Sequence, residues 1–89
     1  MHAVLVSVTL NNPEEALENL RNEIVPRVSQ APGFVAGYWY GDQQTKGAST
    51  IVFESEENAR GFVEMVRQQP GTGAATIDDI EVHEVVANA

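Results

Sequence analysis

The strand-like stretches of this chain are apolar on both of their sides, and that constrains the fold more than any motif it contains. Residues 2–10 (HAVLVSVTL) are rich in β-branched side chains. Successive strand residues point to opposite faces, so Val4, Val6 and Val8 line one side while Ala3 and Leu5 line the other. Residues 34–41 (FVAGYWYG) repeat the pattern, with Phe34, Ala36, Tyr38 and Tyr40 set against Val35 and Trp39. Residues 48–54 (ASTIVFE) do so again, with Thr50 and Val52 against Ile51 and Phe53. A sheet built from these strands needs cover on both faces.

Helix signals separate the strands. Asn12 is placed as an N-cap, Pro13 occupies the first helical position where its missing N–H is harmless, and Glu14 and Glu15 sit at the positive end of the helix dipole. Ala16, Leu17, Leu20, Ile24 and Val28 recur at three- and four-residue spacing, which predicts one buried stripe. Pro26 removes an intrahelical hydrogen bond and crowds the preceding turn, so the helix is expected to loosen near Asn22 and to end before Ala31-Pro32-Gly33. The polar stretch 42–47 predicts a hairpin. Ser55 then caps a second helix with Ala59, Phe62, Val63 and Val66 as its apolar stripe and an end near Pro70-Gly71. Residues 77–86 are expected to form a fourth strand, with Ile80 and Val82 on one side and Glu81 and His83 on the other.

Eighty-nine residues cannot divide their apolar content between two cores, so residues 1–89 form a single α+β domain. The order βαββαβ makes a four-stranded antiparallel sheet, and right-handed crossovers place both helices on one face. The other face is left bare, and a second subunit is expected to close over it, since monomers tolerate exposed apolar patches of only a few hundred Å². A monomer with an unusually apolar sheet is the alternative.

The absence of cysteine rules out a disulfide framework and fits a reducing, cytoplasmic setting. No metal site is expected, because the paired acids at 14–15 and 56–57 serve helix starts and Asp78-Asp79 begin a strand without further ligands. Thirteen acidic against five basic side chains, a formal charge of −8, disfavour nucleic acid and anionic membrane surfaces as partners. The apolar run at 3–8 is too short to span a bilayer. Neither a glycine-rich phosphate loop nor a nucleophilic triad is present.

The order of elements, Pro26 near the end of the first helix, Pro32-Gly33-Phe34 leading into the second strand, and the junction Val52-Phe53-Glu54-Ser55-Glu56-Glu57 together resemble the dimeric α/β-barrel superfamily, of ferredoxin-like fold. The resemblance implies two subunits packed sheet against sheet around a small-molecule cavity. It also implies activities such as those of the antibiotic-biosynthesis monooxygenases, which need no cofactor, or of haem-degrading relatives. Two departures matter. Phe53 stands where the catalytic monooxygenases commonly carry a tryptophan. The first strand has no asparagine before Asn11 and the second helix has no histidine, so the haem-degrading chemistry and its cofactor are not supported.

His83 is the histidine set inside an expected core element away from the terminus, and facing a closed cavity it would serve as a catalytic proton shuttle. Glu81 is its same-face neighbour and Glu84 points away. A partly exposed strand histidine is the plainer reading, and His2 at the terminus ranks below it. Trp39, Phe53 and Tyr38 are the pocket candidates. Packing is the rival role for at least two of Tyr38, Trp39 and Tyr40, because consecutive strand residues cannot share one cavity. The expectation is a homodimer, joined through the sheet face, that binds a small apolar organic molecule in the barrel cavity with a monooxygenase-like activity. Its rival is a non-catalytic ligand-binding or interaction module whose interface is filled by side chains.

Overall fold

Each turn in the path of the chain is fixed by a short-range interaction already visible in its residue types. In the computed structural model, which describes residues 1–42, 44–68 and 73–89, strand β1 (His2–Leu10) is followed by helix α1 (Pro13–Asn19). The Asn12 side chain accepts the Glu15 backbone N–H at 3.2 Å, the N-cap expected of it. The helix then widens into a π-helical turn at Leu20–Ile24 and resumes as α2 (Val25–Ser29). Pro26 lies just past the widening, and the carbonyl its ring would crowd belongs to Asn22 at the centre of the π turn. The three segments form one helical arm.

Gly33, at φ +76°, turns the chain into β2 (Phe34–Gly41), which pairs through a hairpin with β3 (Lys46–Phe53). The hairpin is shorter than 42–47, because Asp42 gathers it: one carboxylate oxygen accepts the N–H groups of Gln44, Thr45 and Lys46, and the other the Thr45 hydroxyl. Helix α3 (Glu56–Gln68) begins where Ser55 Oγ accepts the Asn58 N–H at 3.1 Å. Its expected end at Pro70-Gly71 lies outside the described residues. Strand β4 spans Ala75–Glu84, two residues earlier than expected, and a bulge at Asp78 shifts its register against β1.

The sheet is antiparallel with order β2-β3-β1-β4, which is the ferredoxin-like α+β fold. Its helix face buries Val4, Val6, Ile51 and Phe53 against Val28 of α2 and Ala59, Phe62 and Val63 of α3. Phe53 is fully buried, edge-on to Phe34 at 6.4 Å between ring centres and tilted against Phe62 at 5.1 Å.

Two sequence expectations need correction. The arm does not bury a continuous stripe: Leu17 is 37% and Ile24 43% exposed, and nothing from Pro13 to Ile24 is buried. The stripe assumed 3.6 residues per turn throughout, and the π turn changes the phase between its two sides. The open face is not apolar throughout either. Ala3, Leu5, Ala36, Ala48 and Val52 cover its centre, but the β4 edge presents Asp79, Glu81 and His83.

The exposed carboxylates that pin the loops set an acid limit on stability. Hydrogen bonds from the Lys46, Gln44 and Thr45 backbone hold Asp42 far below the usual carboxylate range, and the Thr9 hydroxyl lowers Asp78. A carboxyl whose pKa is depressed on folding binds fewer protons folded than unfolded, so stability rises with pH across that window. The contribution is complete above about pH 5 and is lost as pH falls through roughly 4 and below. Circular dichroism during acid titration is expected to show this loss, and Asp42→Asn combined with Asp78→Asn to flatten it. A variant with an unchanged acid slope would count against the assignment.

Candidate functional site

The helices cover the sheet unevenly. Helix α3 packs on β1, β3 and β4, and α2 packs on β2. The right-handed path from β1 to β2 starts α1 at the hairpin end of the sheet, where the Leu10 N–H donates to the Thr45 carbonyl. Val8, Trp39, Gly47 and Ser49 share the helix face at this end of the sheet, and neither α1 nor the π turn approaches a strand as closely as α2 and α3 do. These helical segments bury no side chain of their own.

Trp39 faces this layer and packs on the edge of the core. Its ring lies across Gly37, so closely that a β-carbon there would stand 2.9 Å from the ring. Glycine at position 37 thus leaves the room that the indole occupies. Ser49, opposite both Val6 and Trp39, is the one buried polar residue among those described. Sequence reasoning passed over it. The signal was there: Ser49, Ile51 and Phe53 share one strand face, and a lone hydroxyl among core residues is unusual.

The candidates read from the sequence divide between two faces. Trp39 and Phe53 are on the helix face, and Phe53 is wholly covered by neighbouring side chains. Tyr38 and His83 are on the open face, where Tyr38 is 65% exposed and His83 Nε2 lies 3.2 Å from Glu81 Oε1. Alternation along the strands enforces the split. An open hollow of about 480 Å³ at the hairpin end of the sheet is lined by Tyr40, Lys46, Ala48 and Asp78 among others, and Lys46 Nζ there donates to Thr9 at 2.8 Å. Among the described residues no three acidic or histidine side chains converge as a metal site, and no helix is long and apolar enough to cross a membrane.

No family model and no curated protein matches the sequence. Solved structures match it over almost its whole length at low identity. A point mutant of MhuD, a haem-degrading protein of Mycobacterium tuberculosis, solved with two manganese protoporphyrin IX molecules per active site, is 14% identical. Its TM-score is 0.69, with 100% of this chain and 98% of that chain covered. SnoaB, a cofactor-independent oxygenase from Streptomyces nogalater, also solved as a point mutant, gives 15% identity, a TM-score of 0.67 and coverage of 98% and 95%. A dimeric ferredoxin-like protein from an uncultured marine organism gives 13%, 0.65, and 100% and 98%. At such identities the likeness is one of architecture, and in architecture the resemblance read from the sequence holds: this chain has the ferredoxin-like fold found in the antibiotic-biosynthesis type of monooxygenase.

Proposed function

We propose that the chain works as a homodimer whose open sheet faces close on each other, each subunit holding a small, largely apolar organic molecule between Trp39 and the helical arm. The uneven helix layer carries this reading: α3 presses Ala59, Phe62 and Val63 onto the sheet, while the arm from Pro13 to Ile24 buries no residue and approaches no strand as closely as α2 and α3 do. An apolar guest on that side displaces no buried side chain of the arm and gains the cover of half-buried Leu20. Ser49 supplies a single hydroxyl, in keeping with apolar sites that orient their ligand through a few polar groups. The dimer is supported by the apolar centre of the open face and by relatives in fold that are themselves dimeric.

The chemistry favoured is oxygenation of the guest without a cofactor, as in SnoaB. Haem does not fit. Its iron needs an axial ligand such as imidazole, thiolate or phenolate, and the layer around Trp39 offers none among the described residues. His2, whose Nδ1 is buried without a partner, lies at the far end of β1 opposite Phe53. The filled α3 side, with Phe53 wedged between Phe34 and Phe62, favours a second reading in which the dimer binds without catalysis.

Trp39 is the only tryptophan, so its fluorescence reports on the proposed site. Titration with 1,4-naphthoquinone is expected to quench it saturably, and Ser49→Ala to weaken binding roughly fivefold, the worth of about one neutral hydrogen bond. His83→Ala, altering the opposite face, leaves the titration unchanged. Quenching that stays linear in quinone, as in the urea-unfolded chain, would remove the site. Conversion of the corresponding hydroquinone and O2 to 2-hydroxy-1,4-naphthoquinone and water above the uncatalysed rate, with one atom of labelled O2 recovered in the product, distinguishes the oxygenase from the binding module. Light scattering at micromolar concentration should give twice the chain mass of 9.7 kDa.

A further inference from the structure

The open face of the sheet changes in chemistry from one edge to the other. In register, three rows run Ala36, Val52, Ala3, His83; Tyr38, Thr50, Leu5, Glu81; and Tyr40, Ala48, Ser7, Asp79. The β2 edge therefore bears two phenols and no charge, the centre small and aliphatic side chains, and the β4 edge two carboxylates and an imidazole. Asp78 extends the acidic edge but is engaged by the Thr9 hydroxyl at 2.6 Å and by Lys46 at 3.5 Å. The Tyr40 hydroxyl is 3.0 Å from Thr50 Oγ1, whereas that of Tyr38 has no partner among the described residues.

A sheet that closes on its own copy obeys a two-fold axis, and the same patch is used on both sides. With the strands of the two sheets aligned, two orientations satisfy this. With the axis across the strands, β4 lies over β4, so Asp79 and Glu81 approach their own copies. With the axis along the strands, the strand order reverses in the partner and β2 lies over β4. Tyr38 then stands over Glu81, Tyr40 over Asp79, and Leu5 over Thr50 at the centre. Like charges brought together at an interface repel, while phenolic O–H groups donate to carboxylates.

We infer that the dimer takes the second orientation, so that Tyr38 of the partner subunit completes the Glu81–His83 pair from across the interface. This rests on the homodimer proposed above and adds the geometry that the proposal leaves open. Each dimer then contains two equivalent clusters of phenol, carboxylate and imidazole at its margins, flanking an apolar centre.

Single cysteines can report which edges meet, because the chain has none of its own. Chains carrying Tyr38→Cys and Glu81→Cys are prepared separately, one with a mass tag, mixed until subunits exchange, and treated with a short bis-maleimide. A linker is needed because packed sheets stand about 10 Å apart, beyond the span of a disulfide. Mixed crosslinks are expected in roughly tenfold excess over Glu81→Cys linked to itself, since the two copies of position 81 would lie ~14 Å apart sideways. Self-linking of Glu81→Cys in comparable yield would overturn the orientation and leave the dimer standing. A 9.7 kDa mass for the unmodified protein, with no crosslink anywhere, would overturn both. Tyr40→Cys with Asp79→Cys, one row along, must give the same pattern and serves where a first variant fails to fold.

Discussion

Replacing Phe53 by alanine is expected to lower the stability of the fold by about 3–5 kcal/mol. The ring is fully buried and joins three elements, touching Phe34 at the start of β2 and Phe62 of α3 from its place on β3. Its removal sacrifices the transfer energy of the ring and leaves a cavity, since β3 is held on both sides by its neighbours and cannot collapse inward. Domains of this size hold only roughly 5–15 kcal/mol in total. Each lost kcal/mol lowers Tm by about 4–8 °C, so the variant should melt at least ~12 °C below the parent at equal concentration. Urea unfolding followed by circular dichroism should show a lower midpoint with an unchanged slope. A loss under about 1 kcal/mol would show that the three-ring contact is not part of the core. Tryptophan in place of Phe53 is expected to overpack this site by about 1–3 kcal/mol.

Gly33→Ala is expected to cost about 2–3 kcal/mol, unusually much for a half-buried residue. Two effects add. At φ +76° any β-carbon is strained, by about 1–2 kcal/mol. That carbon would also stand 2.9 Å from Asn58 Cβ and closer still to its side-chain amide. Asn58 cannot move away freely, because its Oδ1 accepts the Ser55 hydroxyl at 2.7 Å while Ser55 Oγ caps α3. The Gly33 carbonyl also accepts the Glu54 N–H at 2.8 Å, so the strain reaches the end of β3. Measured against Asn58→Gly alone, Gly33→Ala should cost only the part due to φ, since the clash is then absent in both chains. A Gly33→Ala variant as stable as the parent would refute both effects.

What the sequence disclosed and what it concealed follow from the range of the interactions involved. Asn12 and Ser55 were legible as caps because each bonds a backbone N–H three residues away. Residues 34–41 were legible as a strand because their composition is dense in aromatic and β-branched groups. The loosening near Asn22 could be anticipated from Pro26, but its form as a π turn could not, and with it went the face on which Leu17 and Ile24 lie. The offset of β4 was hidden by the bulge at Asp78, whose register depends on Ser7 and Val8 some seventy positions earlier in the chain. For the site, the residue types were legible and their sides were not. Trp39 and Tyr38 were named together, and only pairing with Ser49 and Thr50 on β3 sends one to the helix face and the other to the open face. Ser49 drew no reading of its own, because burial on the helix face is decided by its partners Val6 and Trp39.

The strand order leaves β2 and β4 as the two margins of the sheet, and they are defended unequally. Strand β4 carries Asp78, Asp79, Glu81 and Glu84 and is bent by its bulge, features that discourage a stray backbone from adding to it. Strand β2 holds eight residues without a single charge or proline. A chain newly released from the ribosome therefore offers one adhesive seam, and acid that neutralises the guards on the other margin would open a second. Storage, expression yield and fibril formation in this protein should all be governed by how seldom Phe34–Gly41 stands uncovered.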